Sequence, residues 1–241
     1  MPSPRPGRTM ILMRYAVLGT GIVGRTIATK LASLGHEVAI GTRDPQSTLA
    51  RTEPDGMGNP PFAVWHADHT DVQLKPFAEA AAFGETVVNT TAGGAALAAL
   101  DAAGRTNLVG KVVIDIANPL DFSAGMPPTL DPVNTDSLGE QIQRAFPDAK
   151  VVKTLNTMSC PVMVEPARVA GPHNVFVSGE DTGAKKQVTE LLVSFGWPES
   201  SVIDLGGIET ARGTEMVLPI WLRLMGTLGH TDFNFHVQGA R

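Results

Sequence analysis

Cysteine is almost absent from this sequence of 241 residues, since Cys160 is the only one. A framework of disulfides within the chain is therefore excluded, and this cysteine usage fits a reducing cytoplasm. No apolar run approaches the roughly 20 residues that a membrane-spanning helix needs. We expect a cytoplasmic protein that has no membrane partner.

Concentrated positive charge is missing as well. The formal net charge is −5, and no basic run of the kind that binds nucleic acid occurs, so we expect no nucleic-acid partner. Aromatic residues make up only 5% of a chain that is 43% hydrophobic. Ala, Val and Leu must therefore dominate the interior, as they do where helices pack on a parallel sheet.

Short apolar runs alternate with amphipathic helical patterns along the first two thirds of the chain. They predict helices at 22–34, 93–102 and 135–146 between strands at 14–18, 37–40, 62–66, 86–89, 112–116 and 151–155. Regular alternation of this kind is typical of a sheet with helices on both faces. The sequence therefore predicts an α/β fold with a doubly wound parallel sheet.

The pattern changes after Cys160. It predicts a helix at 182–195, a second helix at 208–228 that Pro219 interrupts, and strands at 174–178, 201–205 and 233–237. We expect three parts in the chain: a disordered tail at 1–12, a main domain at 13–160 and a smaller C-terminal lobe at 161–241.

A glycine-rich turn follows the first predicted strand. The segment GTGIVG lies between a strand and a helix, the context in which G-x-G-x-x-G predicts dinucleotide binding; its residues are Gly19, Thr20, Gly21, Ile22, Val23 and Gly24. The first glycine would make the tight turn, the second would let a pyrophosphate approach, and the third would let helix and strand pack closely. Residues 13–160 are thus predicted to be a Rossmann domain, with phosphates bound at a helix N-terminus.

The end of the second strand indicates which dinucleotide binds. NAD-binding domains carry an acidic residue there for the ribose hydroxyls, whereas this chain has Thr42 and Arg43. A hydroxyl and a guanidinium suit the 2′-phosphate of NADP(H). Asp44, which is followed by Pro45, is predicted to cap the next helix instead.

Several segments together resemble one known family. They are AVLGTGIVGRTIATKLASLGHEVAIGTRDP at 16–45, VVNTT at 87–91, DIANPL at 115–120, VKTLNT at 152–157, VFVSGED at 175–181 and DLGG at 204–207. From Met13 onward the chain resembles the NADPH-dependent reductases of coenzyme F420, a deazaflavin. Rossmann enzymes share the opening motif generally, so the later segments are the ones that point to this family.

The resemblance implies a reaction and an assembly. A hydride would pass between C4 of the nicotinamide and C5 of the deazaflavin, so the expected cofactors are NADP(H) and coenzyme F420, the latter as the small-molecule redox acceptor. The protein would align the two rings and exclude water. We therefore predict no catalytic acid or base and no metal. The resemblance also implies a homodimer with a small C-terminal lobe.

The resemblance further implies contacts with NADP(H), one position at a time. We expect Thr20, Ile22 and Val23 at the pyrophosphate, Thr42 and Arg43 at the 2′-phosphate, Thr90 and Thr91 at the nicotinamide ribose, Asn118 and Pro119 in the crevice where the strand order reverses, and Asn156 and Thr157 beside the carboxamide.

The identity of the acceptor stays open at this stage. The chain has TAGG at 91–94, where many family members carry a bulkier segment, often with an aromatic residue or proline. A quinone, a flavin or a metal chelate could take the place of F420, and a redox sensor would bind NADP(H) without turnover. His66 and His69 are not predicted to bind a metal, because residues i and i+3 do not converge on a strand or loop.

Overall fold

The computed structural model describes residues 12–55 and 58–239, so the predicted tail at 1–12 lies outside the described residues except for Leu12. Ten strands are found there: β1 (Arg14–Leu18), β2 (Glu37–Thr42), β3 (Val72–Pro76), β4 (Thr86–Asn89), β5 (Val112–Asp115), β6 (Leu120–Asp121), β7 (Thr129–Leu130), β8 (Lys150–Thr154), β9 (Val175–Ser178) and β10 (Val202–Asp204). Strands β6 and β7 pair only with each other, and the other eight form the central sheet.

The order of the central sheet is β10-β9-β8-β5-β4-β1-β2-β3. Neighbouring strands are parallel except for β8 and β9, which are antiparallel. The chain runs outward from β1 to β3 and then returns to β4 on the other side of β1. The carboxyl ends of β1 and β4 therefore border the crevice in which open α/β sheets bind ligands.

Helices cover both faces of the sheet, which confirms the predicted doubly wound α/β fold. On β1, Tyr15 and Val17 face one core cluster while Ala16 and Leu18 face the other, as the two-residue period of a strand requires. The helices are α1 (Ile22–Ser33), α2 (Pro45–Leu49), α3 (Phe62–Ala67), α4 (Phe77–Phe83), α5 (Gly93–Ala103), α6 (Arg105–Leu108), α7 (Leu138–Ala145), α8 (Cys160–Val164), α9 (Thr182–Phe195), α10 (Ala211–Glu215) and α11 (Leu218–Leu228).

The predicted third strand at 62–66 is wrong. That segment forms helix α3, and the third strand of the sheet is β3, ten residues further on. The rings of Phe62 and His66 stack at 5.5 Å, and side-chain pairs four residues apart stabilise a helix. Strand β3 lies at the edge of the sheet and exposes polar positions, so its apolar pattern is weak.

The predicted last strand at 233–237 is also wrong, because the segment has no regular structure. Asn174 holds the segment at 233–237 by two hydrogen bonds that are not part of a strand pairing. Its backbone N–H donates to the carbonyl oxygen of Phe235 at 2.9 Å, and its side-chain oxygen accepts from the N–H of Val237 at 2.8 Å. One residue thus replaces the repeating ladder of a paired strand.

The predicted helix at 208–228 is divided into separate elements, in agreement with the predicted interruption by Pro219. A 3₁₀ turn at Ile208–Thr210 precedes α10, and the break before α11 falls at 216–217. Pro219 lies in the first turn of α11, where a missing N–H leaves no helical hydrogen bond unmade.

Strands β9 and β10 extend the same sheet as the earlier strands. In the antiparallel pair, Lys153 of β8 lies opposite Ser178 of β9. The sheet therefore continues across the predicted boundary after residue 160, and the division into a domain at 13–160 and a lobe at 161–241 stays a prediction.

A buried ionic network ties the sheet to the C-terminal part of the chain. The ammonium of Lys153 on β8 lies 2.8 Å from a carboxylate oxygen of Asp115 on β5 and 2.8 Å from one of Glu215 on α10; no side chain of the three is more than 2% exposed. Glu215 also accepts the backbone N–H groups of Leu138 and Gly139 at 2.9 and 3.0 Å. These N–H groups begin α7 and have no partner within that helix.

Replacing Lys153 by Met should lower the free energy of unfolding by about 3–5 kcal/mol, because two buried carboxylates lose their cation. Lys150 is the matched control on the same strand, since it pairs with Asp181 at 3.1 Å where both side chains are partly exposed. Lys150→Met should cost about 1 kcal/mol or less. Urea unfolding followed by circular dichroism measures both, and equal losses would contradict a special role for the buried pair.

Candidate functional site

The glycine-rich turn connects β1 to α1 at the carboxyl edge of the sheet. Gly19 has a φ of +122°, a conformation that favours glycine, and its N–H donates to the carbonyl oxygen of Gly41 at 3.0 Å. A Cβ on Gly24 would lie 2.1 Å from the carbonyl oxygen of Gly19. Only glycine at this position lets the first turn of α1 pack so closely on the strand.

The N-terminus of α1 is open. Gly21 caps the helix without a side-chain hydrogen bond, no acidic residue lies in the first turn, and no atom beyond its two chain neighbours lies within 4 Å of an ideal Cβ on Gly21. Thr20, Ile22 and Val23 around it are partly or well exposed. Free N–H groups at the positive end of a helix dipole form an anion site, so the turn fits a phosphate group.

Two arginines border a cavity of about 540 Å³ beside this turn. Arg25 donates from Nε to the carbonyl oxygen of Thr20 at 2.9 Å, and its guanidinium lies 5.5 Å from the centre of the Phe62 ring. Arg51 lines the same cavity from the loop after α2. Burial lowers the pKa of Arg25, and the nearby charge of Arg51 lowers it further while Asp55 opposes both.

The end of β2 lies beside the turn. Thr42 is buried, with its hydroxyl 2.8 Å from that of Thr48 on α2, whereas Arg43 is exposed. Asp44 accepts the N–H groups of Gln46 and Ser47 at 2.9 and 3.1 Å, which confirms that it caps the next helix. Hydrogen bonds from Ser47 hold the pKa of Asp44 below its usual value.

Sequence analysis did not identify Arg51. One of its terminal nitrogens lies 3.4 Å from the hydroxyl oxygen of Thr48, which in turn contacts Thr42. The short helix α2 brings this second guanidinium back toward the end of β2. A basic residue just after a one-turn helix was the available signal, but the sequence alone does not reveal where the loop returns.

Thr90 and Thr91 follow β4, at the other side of the crevice. The Thr90 hydroxyl donates to the carbonyl oxygen of Leu18 at 2.8 Å, and a Cβ on Gly24 would lie 2.8 Å from its oxygen. Thr90 therefore packs against the glycine-rich turn. The Thr91 hydroxyl donates to the side-chain oxygen of Asn89 at 2.7 Å, and Thr91 is half-buried at the mouth of the crevice.

Asn118 and Asn156 join the ends of β5 and β8. The amide of Asn118 donates to the backbone oxygen of Asn156 at 2.8 Å, and the amide of Asn156 donates to the side-chain oxygen of Asn118 at 3.0 Å. A Cβ on Gly93 would lie 2.1 Å from the backbone oxygen of Asn118 and 2.9 Å from Pro119. The glycine thus lets the start of α5 contact this corner of the crevice.

The segment after β8 carries two unusual features. Leu155 is buried and has a φ of +62°, which is rare for a residue with a side chain of this size and is found where strain serves a site. The hydroxyl of Thr157 is fully buried and has no hydrogen-bond partner among the described residues. An unpaired buried hydroxyl costs free energy, so a bound group that pairs with it would fit here.

The predicted contacts thus fall into three groups along one edge of the sheet: the turn at 19–24 with Thr90 and Thr91, the end of β2 with Thr42 and Arg43, and the corner of Asn118, Pro119, Asn156 and Thr157.

The two histidines, His66 on α3 and His69 just after it, lie outside these groups. A ring nitrogen of His66 lies 2.9 Å from the carbonyl oxygen of Val72, and one of His69 lies 2.8 Å from that of Trp65. Across residues 12–55 and 58–239, no three His, Cys, Asp or Glu side chains gather as metal ligands.

The sheet order and the glycine-rich turn define a Rossmann-type dinucleotide-binding protein. The model of the family described as "NADP oxidoreductase coenzyme F420-dependent" matches residues 14–119. A crystal structure from Arthrobacter sp. FB24, provisionally assigned as an F420-dependent NADP-reductase, is 61% identical, covers 94% of this chain and 100% of its own, and has a TM-score of 0.90. The chain belongs to the family of coenzyme F420-dependent NADP oxidoreductases, which confirms the resemblance seen in the sequence.

Two curated relatives extend the comparison. The F420-dependent NADP reductase of Methanothermobacter marburgensis is 28% identical over 88% of this chain and 92% of its own. Rat metalloreductase STEAP3 is 25% identical over 86% of this chain, which corresponds to only 38% of the rat protein. In the part of the chain that the structure describes, no helix is long and apolar enough to cross a membrane.

Proposed function

We propose that this protein transfers a hydride between NADP(H) and coenzyme F420. The observation that carries the proposal is the open, glycine-rich N-terminus of α1 at the switch point of the sheet, in a chain of this family. When bound, the nicotinamide and the deazaflavin supply the chemistry, a hydride moving between C4 of one and C5 of the other. The chain's own residues bind, orient and shield the rings, and we assign no catalytic acid or base.

The three groups of residues along the crevice support an assignment of the cofactor-binding residues. We propose that Gly19, Gly21 and Gly24 hold the pyrophosphate together with Thr20, Ile22 and Val23, that Thr90 and Thr91 border the nicotinamide ribose, that Asn118 and Pro119 lie in the crevice where the strand order reverses, and that Asn156 and Thr157 lie beside the carboxamide. The unpaired hydroxyl of Thr157 and the open space over Gly21 support this assignment. The strained backbone at Leu155 would hold the carboxamide end in place.

Selectivity for the 2′-phosphate rests on two cations in the proposed function. Arg43 is exposed at the end of β2, and Arg51 reaches the Thr42–Thr48 pair from the following loop. Asp44, the acid nearest to this position in the sequence, is occupied by the start of α2. A phosphate would therefore meet guanidinium groups, each capable of a charge-assisted hydrogen bond.

Arg43→Ala should weaken NADPH binding by about 1.5–3 kcal/mol, roughly 10- to 150-fold in Kd, and leave NADH binding little changed. Arg51→Ala should act in the same selective direction. Arg14→Ala is the control, because Arg14 pairs with Glu85 at the amino end of β1, away from the crevice. Fluorescence titration with both cofactors measures the effects. An equal loss for NADPH and NADH would count against a 2′-phosphate role for either arginine.

Mixing the protein and NADPH with oxidised F420 in a stopped-flow instrument tests the reaction. We expect rapid loss of deazaflavin absorbance together with oxidation of NADPH. Tight binding of NADPH without any change in F420 would refute the proposed acceptor. The similarity to metalloreductase STEAP3 favours a metal chelate as the second candidate, so a metal chelate, a quinone and a flavin form the parallel assays. A protein that oxidises NADPH with none of them would be a sensor.

We also propose that the active form is a homodimer joined through α11. This helix is largely apolar, yet Leu218 is its only fully buried residue. Ile220 and Leu228 are 55% and 47% exposed, and contiguous exposed apolar surface is typical of an interface.

Light scattering should give twice the mass of one chain for the wild-type protein. Ile220→Asp should halve the measured mass, whereas Val64→Asp, on the exposed side of α3, should leave it unchanged. A monomeric wild-type protein would contradict the assembly.

A further inference from the structure

The hydroxyl of Thr91 forms a hydrogen bond with the side chain of Asn89 inside the protein. It lies 2.7 Å from the side-chain oxygen of Asn89, which also accepts the backbone N–H of Thr91 at 3.3 Å. An N–H can only donate, so the Asn89 atom that faces Thr91 must be the oxygen and not the amide nitrogen. The Thr91 hydroxyl must then donate its proton to Asn89, and its lone pairs are left for the crevice.

The amide nitrogen of Asn89 is fixed through Asp115, which is itself held by the backbone N–H of Ala117. The Asn89 amide nitrogen lies 2.8 Å from a carboxylate oxygen of Asp115, and the same oxygen accepts the N–H of Ala117 at 3.2 Å. The oxygen of Asp115 is therefore an acceptor, and Asn89 must present its NH₂ to it. The orientation of the Asn89 amide, which diffraction alone seldom distinguishes, follows here from two backbone donors.

Lys153 and Glu215 hold this arrangement beneath the crevice. Lys153 donates to the second oxygen of Asp115 at 2.8 Å and to the carbonyl oxygen of Ala117. Burial by itself would lower the pKa of Lys153, but the charges of Asp115 and Glu215 and their hydrogen bonds outweigh burial and raise it. The lysine thus stays a cation, and Asp115 faces only donors.

We propose that Thr91 is a hydrogen-bond acceptor of fixed polarity for a ribose hydroxyl of the bound dinucleotide, and that Asn89, Asp115 and Lys153 are positioning residues that set this polarity. The inference rests on the proposed binding of NADP(H) in the crevice. Thr91 is half-buried directly after β4, beside the switch point, and a ribose hydroxyl has the donor that its lone pairs require. A group that could only accept would meet an oxygen with no proton to offer.

Binding of NADPH analogues tests the polarity without any electron acceptor. In the analogues, each nicotinamide-ribose hydroxyl is replaced in turn by hydrogen or by fluorine, which can accept but cannot donate. For one of the two positions, wild-type protein should bind NADPH roughly 3- to 10-fold more tightly than the deoxy analogue, and the fluoro analogue no better than the deoxy one. Restoration of affinity by fluorine, or equal binding of all three ligands at both positions, would overturn the proposal.

Variants assign the effect to Thr91. Thr91→Val should bind NADPH and the deoxy analogue equally, Thr91→Ser should keep the wild-type preference, and Thr189→Val is the control because that hydroxyl donates to the carbonyl oxygen of Lys185 within α9. A preference that survives in Thr91→Val would refute the role of Thr91. Failure of the protein to reduce F420 would refute the proposed reaction but would leave these binding ratios intact.

The positioning role is tested with Asn89→Ala, which frees the Thr91 hydroxyl to rotate. A residue with only a structural role would change the Kd of NADPH and of its analogues by the same factor. We expect instead that the fluoro analogue regains affinity relative to the deoxy one by about 3-fold or more, since Thr91 can then donate. An unchanged ratio between these two ligands in folded Asn89→Ala protein would exclude Asn89 as the determinant of polarity.

Discussion

The buried ammonium of Lys153 is the interaction on which the crevice depends. Its two carboxylate partners come from distant parts of the chain, and each of them also holds a second group in place. Asp115 fixes the amide of Asn89, and Glu215 closes the first turn of α7. Without the cation, two buried carboxylates would lie in the interior with no opposite charge beside them, which is strongly destabilising. One side chain therefore joins the floor of the site to the last third of the sequence.

Local charge matters more in this protein than overall charge. The chain is acidic, with a net charge of −5, yet the edge that carries the glycine-rich turn presents an uncapped helix N-terminus and the guanidinium groups of Arg25, Arg43 and Arg51. Asp44, the acid next to Arg43 in the sequence, is tied to α2 by hydrogen bonds, while Glu53 and Asp55 line the cavity beside Arg25 and Arg51. The electrostatic field at a cleft follows from such an arrangement of nearby groups rather than from the total.

Features set by neighbouring residues could be predicted from the sequence, and features set by distant ones could not. The strand, turn and helix around Gly19, the cap at Asp44 and the break near Pro219 depend on residues a few positions apart. The pairing of Asp115 with Lys153 spans 38 positions and the capping of Leu138 by Glu215 spans 77. No local pattern marks such partners, and the return of Arg51 toward Thr42 is hidden for the same reason. The prediction of a strand at 62–66 is the local exception, because a short apolar run suits either a strand or a helix and the helix gains the stacking of Phe62 on His66.

Glu215 also bears on the order in which the chain can mature. A nascent chain emerges from its N-terminus, and early segments generally fold first. When the strands up to β8 have emerged, Lys153 still lacks one of its carboxylates, and two N–H groups at the start of α7 are unmatched until α10 arrives. The nucleotide-binding half of the sheet therefore gains its final stability only near the end of synthesis. A chain that stops before residue 215 would leave the ammonium of Lys153 and the first two N–H groups of α7 without the Glu215 carboxylate that pairs with them.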